Sequence, residues 1–330
     1  MNRRTAGPVC LILTLSLTTA LWGGAAAADI RFGDHVYTGD ETFVDLGETA
    51  ITDFDGLAAF LEQMPKVRQV NMFGTRMSAE RCDALAEKFP EIRWGWTMVL
   101  RGSDHEHLIR TDQTAFSTLH SNKTSHHRSE DFSILKYCWN LFALDIGHNS
   151  VKSLDFLENL PDLRVLIIAC NEVEDITPIA KLKKPEYAEL FKNNIRDMSP
   201  VAGLTNLLDL NICFNHIQNL ELVKGMTWLK RLWMYSARVF NQAYPDAEAR
   251  GYREALPDTE VDTKHYSTAG TWRYLDSKNT VKAPHYAVIT AMFGDTSLRP
   301  KIVYIPFEDS HPFTEEELAA IEAARVKYGE

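Results

Sequence analysis

One spacing constrains this chain more than any other feature. Asn149, Asn171, Asn193 and Asn215 stand at one constant interval, and each closes the same apolar pattern. The segments read Leu141-x-x-Leu144-x-Ile146-x-x-Asn149-x-Val151, then Leu163-x-x-Leu166-x-Ile168-x-x-Asn171-x-Val173. The third has Pro185, Ala188, Leu190, Asn193 and Ile195 at those places, and the fourth has Leu207, Leu210, Ile212, Asn215 and Ile217. A fifth runs from Leu229 to Val239 with Ala237 where the Asn should be, which fits a terminal turn lacking one neighbour. A fixed period of this length marks a solenoid, in which each unit buries its apolar face against the next. The alternation at each start is a short strand with one face buried. The chain then turns sharply inside the stack, stranding backbone groups away from water. An inward Asn amide can both donate to and accept from them, so the four asparagines should form a ladder.

The second half of each unit repeats too. Leu154, Ile176, Met198 and Leu220 form one column, and Leu160, Leu182, Leu204 and Met226 another. Thr177-Pro178 and Ser199-Pro200 mark tight turns, where the fixed φ of Pro suits a helical or 3-10 start. One period before Leu160 lies Cys138, which is thereby read as a small buried hydrophobe. The pattern resembles the 22-residue leucine-rich repeats of the internalin family, in detail at Asp175-Ile176-Thr177-Pro178-Ile179 and Asp197-Met198-Ser199-Pro200-Val201. The resemblance covers residues 132–241. It implies an α/β leucine-rich-repeat solenoid, a curved horseshoe with parallel strands on the concave face and short helical or 3-10 turns on the convex face. It also implies a bacterial protein that recognises a protein or cell-surface ligand. The family's cell-wall anchors and host-receptor residues have no counterpart in this sequence.

The rest of the chain divides around those repeats. Residues 1–28 read as a signal peptide: Arg3 and Arg4, an apolar stretch to Trp22, then four alanines before Asp29. The mature product is therefore expected outside the cytoplasmic membrane, with no membrane insertion after cleavage. In 29–101 a longer period appears, read as αβ-type leucine-rich repeats with longer convex helices. Val44, Leu46, Thr49 and Ile51 recur as Val70, Met72, Thr75 and Met77, and a further equal step reaches Trp96 and Met98. Helical stretches at 56–64 and 78–89 separate them, the second N-capped by Ser78. Residues 102–131 break the period as a hairpin and a histidine-rich loop. Residues 242–330 form a C-terminal α/β cap, with a strand at 301–305 and a helix at 314–328 that Thr314 caps.

The formal charge of −10 argues against a nucleic-acid partner, because a phosphate backbone needs a Lys/Arg face. Three classes of site remain. In the repeat register the outward strand positions include Tyr187, Glu189, Phe191, Asp209, Asn211, Arg231, Trp233 and Tyr235. Tyr, Trp, Phe and Arg are the types that anchor interfaces, so this face is read as a ligand site for a protein, a peptide or a glycan. The alternative is that the chain's own C-terminal segment, with Trp272, Tyr274 and Tyr286, covers it. Histidines are the second class: His105, His107, His126 and His127 could hold a metal, although no spacing fixes a geometry. A hydrolase is the third, confined to the region of His265, Arg273 and His285, because no nucleophile elbow or Cys-His signature is present. No cofactor is expected, and no oligomeric state follows from the pattern.

Overall fold

The structure is a computed structural model, and it describes residues 29–102, 106–118, 126–239 and 242–265. The leader at 1–28 and the cap elements at 301–305 and 314–328 lie outside the described residues. No helix among the described residues is long and apolar enough to cross a membrane. The chain forms two compact units that divide between Val99 and Leu100.

The first unit opens with a short antiparallel pair, β1 (Ile30–Phe32) and β2 (His35–Tyr37). Three parallel strands follow, β3 (Phe43–Asp45), β4 (Gln69–Met77) and β5 (Arg93–Arg101), with helices between them. Helix α1 (Phe54–Leu61) starts where the Asp53 carboxylate accepts the Gly56 N–H at 2.8 Å. Helix α2 (Ala79–Lys88) starts where Ser78 Oγ accepts from Arg81 N. Side-chain acceptors of this kind satisfy donors that the first helical turn leaves orphaned. Val44 pairs with Val70, as the longer period of the sequence requires. The next step is shorter: Val70 pairs with Trp94, and Trp96 lies two places on. The register shifts once more between Asn71 and Arg76, and Met77 comes to lie opposite Met98. A bulge inside a long strand escapes a fixed-period search, because the extra residue moves every later pair off the fixed interval.

The β4 irregularity contains Gly74, whose Cα lies against Glu48. A Cβ built there would fall 1.9 Å from the Glu48 carbonyl oxygen and 2.1 Å from its carbon. These are backbone atoms that cannot swing aside. Gly74→Ala is therefore expected to lower stability by about 3 kcal/mol, as severe overpacking does. Urea unfolding of the variant checks this, and a loss within error of zero would show that the Glu48 turn yields freely.

The second unit is a leucine-rich-repeat solenoid. It opens with strand β6 (Glu106–Arg110), whose Glu106 forms an ion pair with Arg101 at 3.1 Å. Then comes a seven-stranded, wholly parallel sheet. Its strands are β7 (Ala115–Ser117), β8 (Ala143–Asp145), β9 (Val165–Ile167), β10 (Tyr187–Glu189), β11 (Asp209–Asn211), β12 (Arg231–Trp233) and β13 (Glu260–Asp262). They are stacked in chain order. The returns between strands include 3-10 helices at 129–137, 155–159, 177–181 and 220–225. Pro178 sits at the start of the third, where its missing N–H costs nothing. The last return is the α-helix α3 (Asp246–Ala255), which buries Ala249 and Tyr252.

The sheet extends past both ends of the regular pattern. Ala115 pairs with Ala143 and Arg231 with Glu260, and both steps are longer than the constant interval, so a search at that interval passes over them. Strand β12 is thus not terminal, and the loss of the ladder Asn at Ala237 has another cause. The chain there leaves the repeat path towards α3, with Ser236 Oγ donating to the Gln242 carbonyl at 3.2 Å.

Between the strands and the returns run the four asparagines. Asn193 Nδ2 donates to the carbonyls of Ile168 at 2.9 Å and Leu190 at 3.2 Å, and its Oδ1 accepts the Val173 N–H at 3.0 Å. Asn171 and Asn215 repeat this one turn before and one turn after. Asn149 instead reaches Thr118 Oγ1 at 2.9 Å and accepts from His127 N at 3.0 Å. The residue before each Asn adopts a left-handed backbone: His148, Cys170, Lys192 and Phe214 have φ between 53° and 58°. That conformation aims the amide inward, and it recurs with non-glycine residues because the ladder bonds offset its strain.

Candidate functional site

The outward positions of the strands fall into columns because the pairing is in strict register. Tyr187 lies opposite Asp209, which lies opposite Arg231. Glu189, Asn211 and Trp233 form the next column. Phe191, Cys213 and Tyr235 follow two places further along. The structure thus brings all eight predicted residues onto one patch of β10, β11 and β12.

The patch is mostly buried. Tyr187, Cys213 and Trp233 pack with Ala143, Val165, Ile167 and Ala169 into an apolar cluster, and Phe191, Phe214 and Tyr235 are half-buried at its edge. Their rings stack edge to face, Phe191 on Phe214 and Phe214 on Tyr235, each with centroids 5.5 Å apart. The polar members are sealed as well: Glu189 and Asp209 are 0% exposed and Arg231 4%. Arg231 Nε stands 3.5 Å from Asp209 Oδ2, and its guanidinium lies 5.5 Å from the centre of the Trp233 ring. Asn211 turns back to accept the Cys213 N–H at 3.0 Å. Burial, reinforced by the carboxylates of Asp262 and Glu189, drives the Cys213 thiol well above its ordinary range, so it is an inert packing group. Cys82 and Cys138 are buried as well, and Cys170 is half-buried. The C-terminal segment with Trp272, Tyr274 and Tyr286 lies outside the described residues.

The histidines separate. His105 lies outside the described residues, His107 is on β6, and His126 is exposed with φ 51°. His127 is 0% exposed. Among the described residues no group of three or more His, Cys, Asp or Glu side chains is placed to hold a metal ion. Of the third class, His265 pairs with Asp262, Nδ1 to Oδ2 at 2.5 Å, and its ring faces Trp233; Arg273 and His285 lie outside the described residues. A cavity of about 530 Å³ opens at the starts of β8 and β9 between Trp139, Phe142, Asp162 and Arg164, residues that the sequence pattern does not single out.

The model of the family described as leucine-rich repeats (2 copies) matches residues 139–181. Among curated proteins none matches the chain in sequence. Solved structures similar to it include internalin C2 of Listeria monocytogenes, 23% identical, covering 45% of this chain and 69% of that one, with a TM-score of 0.33. A leucine-rich-repeat protein of Leptospira interrogans is 12% identical, covering 66% and 75%, with a TM-score of 0.34. The receptor kinase HAESA of Arabidopsis, in complex with the peptide hormone IDA and the co-receptor SERK1, is 16% identical. That match covers 64% of this chain and 28% of the receptor, with a TM-score of 0.30. The chain carries leucine-rich repeats.

Proposed function

We propose that this chain is an exported bacterial recognition module, not an enzyme, and that it takes a protein or peptide ligand at the aromatic edge of its strand face. Solenoids of this type present broad surfaces suited to recognition, whereas catalysis needs convergent groups in a closed pocket. The observation that carries the reading is the ring ladder of Phe191, Phe214 and Tyr235. These are large aromatics, half-buried and mutually oriented, beside a buried Arg and Trp, which is the composition of an interface anchor. They lose little conformational entropy when a ligand packs on them, because the ladder already fixes their rotamers.

A second reading has its own observation. Glu189, Asp209 and Arg231 occupy the outward positions of their strands, yet they are sealed from water. On this reading Tyr187, Asn211 and Trp233 are core, and the strand face is a scaffold.

Residues 29–330 immobilised beside a Phe191→Ala/Tyr235→Ala variant distinguish the two readings. From extracellular and cell-surface material the wild type is expected to retain a partner. The variant should lose it at least tenfold with its melting curve little changed. Trp233→Ala gives the contrast. It should unfold the chain or cost about 3–5 kcal/mol, as truncation of a buried Trp does. Equal capture by wild type and edge variant would sink the edge as the site.

A further inference from the structure

His127 stands where the solenoid elsewhere buries an aliphatic side chain. In the later turns the N–H of Val151, Val173 and Ile195 bonds the ladder Asn of the next repeat. The carbonyl of the same residue accepts from the position after that Asn, as Val151 O does from Glu172 N. In the first turn His127 makes both bonds, its N–H to Asn149 Oδ1 and its carbonyl from Ser150 N at 2.9 Å. The backbone role is that of Val151, while the side chain is an imidazole.

The surroundings of that ring are apolar and tight. It packs on Phe132 with centroids 5.6 Å apart and on His107 at 5.2 Å, and His107 in turn meets Phe116 edge-on. Among the described residues neither ring nitrogen of His127 finds a hydrogen-bond partner of normal geometry. Among the described residues the charged groups facing it are few. Asp131 Oδ2 lies 3.8 Å from Nδ1, but that oxygen already accepts the Arg128 N–H at 2.8 Å, the bond that opens the 3-10 helix at 129–137. His107 is the second titratable neighbour. Arg101 and Glu106 are paired with each other, and Arg128 and Glu130 likewise, on the flanking segments.

We propose that His127 is a pH-sensitive switch that loosens the first repeat of the solenoid on acidification. A proton on the buried ring would need Asp131, the nearest anion, and would compete with the Arg128 N–H that holds the 3-10 helix in place. A second proton on His107 would set two cations ring to ring. The neutral ring is the form the site accepts. Burial depresses the His127 value below 6.5, outweighing the Asp131 carboxylate and the Arg101 carbonyl that act the other way. The sign follows. The ring is neutral in both states above about pH 6.5, where an unfolded His titrates. As pH falls through 6.5 the unfolded chain takes the proton first, and folded stability drops until the depressed native value is reached. The later turns lack this property, since Val151, Val173, Ile195 and Ile217 stand in its place.

The test uses residues 29–330 and hydrogen exchange at pH 7.5 and pH 5, corrected for intrinsic rates. In the wild type, amides of β7 and of residues 126–132 are expected to exchange at least tenfold faster at pH 5, with β10 and β11 unchanged. His127→Val restores the residue type of the other turns and should abolish the difference. A wild type without the local rise, or a His127→Val protein that retains it, would overturn the proposal. Histidine NMR on the wild type gives an independent reading that does not depend on a variant folding: the His127 ring should titrate below 6.5, and a midpoint at or above 6.5 rejects the switch.

Discussion

Replacing Asn193 by Ala is expected to remove about 3–5 kcal/mol of stability, far more than truncating a surface amide. The figure comes from what each atom of the amide does. Its Oδ1 is the acceptor for the buried Val173 N–H, and a buried donor left without its acceptor costs about 1–3 kcal/mol. Its Nδ2 serves the carbonyls of Ile168 and Leu190, whose second donors are Asn171 at 3.1 Å and Asn215 at 3.0 Å. Those carbonyls keep one bond each, so the loss there is about 1 kcal/mol apiece. The ladder therefore carries redundancy in its acceptors and none in its donors. Asn193→Asp separates the two, since it keeps an acceptor for Val173 but sets a carboxylate against two carbonyl oxygens. It should be at least as damaging as Ala at neutral pH. Urea midpoints of both variants decide the matter, and a loss under about 1 kcal/mol for Asn193→Ala would show that the turn relaxes to satisfy itself.

The same residues show what a sequence of this kind discloses. The ladder positions and the strand register from β8 to β12 are legible because a solenoid repeats its physics at a fixed interval: at every recurrence an Asn must meet the same orphaned groups. Where the interval changes, the reading fails. The first turn is longer than the constant interval, and most of its extra length falls between Ala115 and His127, not between His127 and Val151. That insertion hides the equivalence of His127 to the aliphatic column. A search allowing insertions within one unit could have placed it there. β13 is hidden likewise, because α3 replaces a shorter return. In the first unit the second step is shorter than the first, so Val70 pairs with Trp94 and not with Trp96, and the register shifts again between Asn71 and Arg76. The strand face was legible only in part. Alternation states that Tyr187, Glu189, Asp209, Arg231 and Trp233 share a side of the sheet, and they do. Whether that side is wet depends on what else packs against it, and period-2 patterning holds no information on that.

Arg231 measures that environment directly. If the strand face were open to water, Arg231→Ala would cost no more than about 1 kcal/mol, the range of an exposed ion pair. With Asp209 at 0% exposure and Arg231 at 4%, the expected loss is about 3–5 kcal/mol, because a buried carboxylate keeps its desolvation cost after this cation is removed. Part of the loss is packing, since the Arg231 guanidinium also lies over Trp233. The double variant Arg231→Leu/Asp209→Leu isolates the charge component. It removes both ions and refills the volume, so it should recover most of the loss, as buried pairs replaced by apolar groups commonly do. Recovery to within about 1 kcal/mol of wild type would mean that the pair specifies the face without stabilising it, leaving the aromatic edge at Phe191 and Tyr235 as the part available to a ligand. A double variant as damaged as Arg231→Ala alone would mean that the charges are held by further groups of the protein. A single variant costing under about 1 kcal/mol would return the whole strand face to solvent and to the ligand.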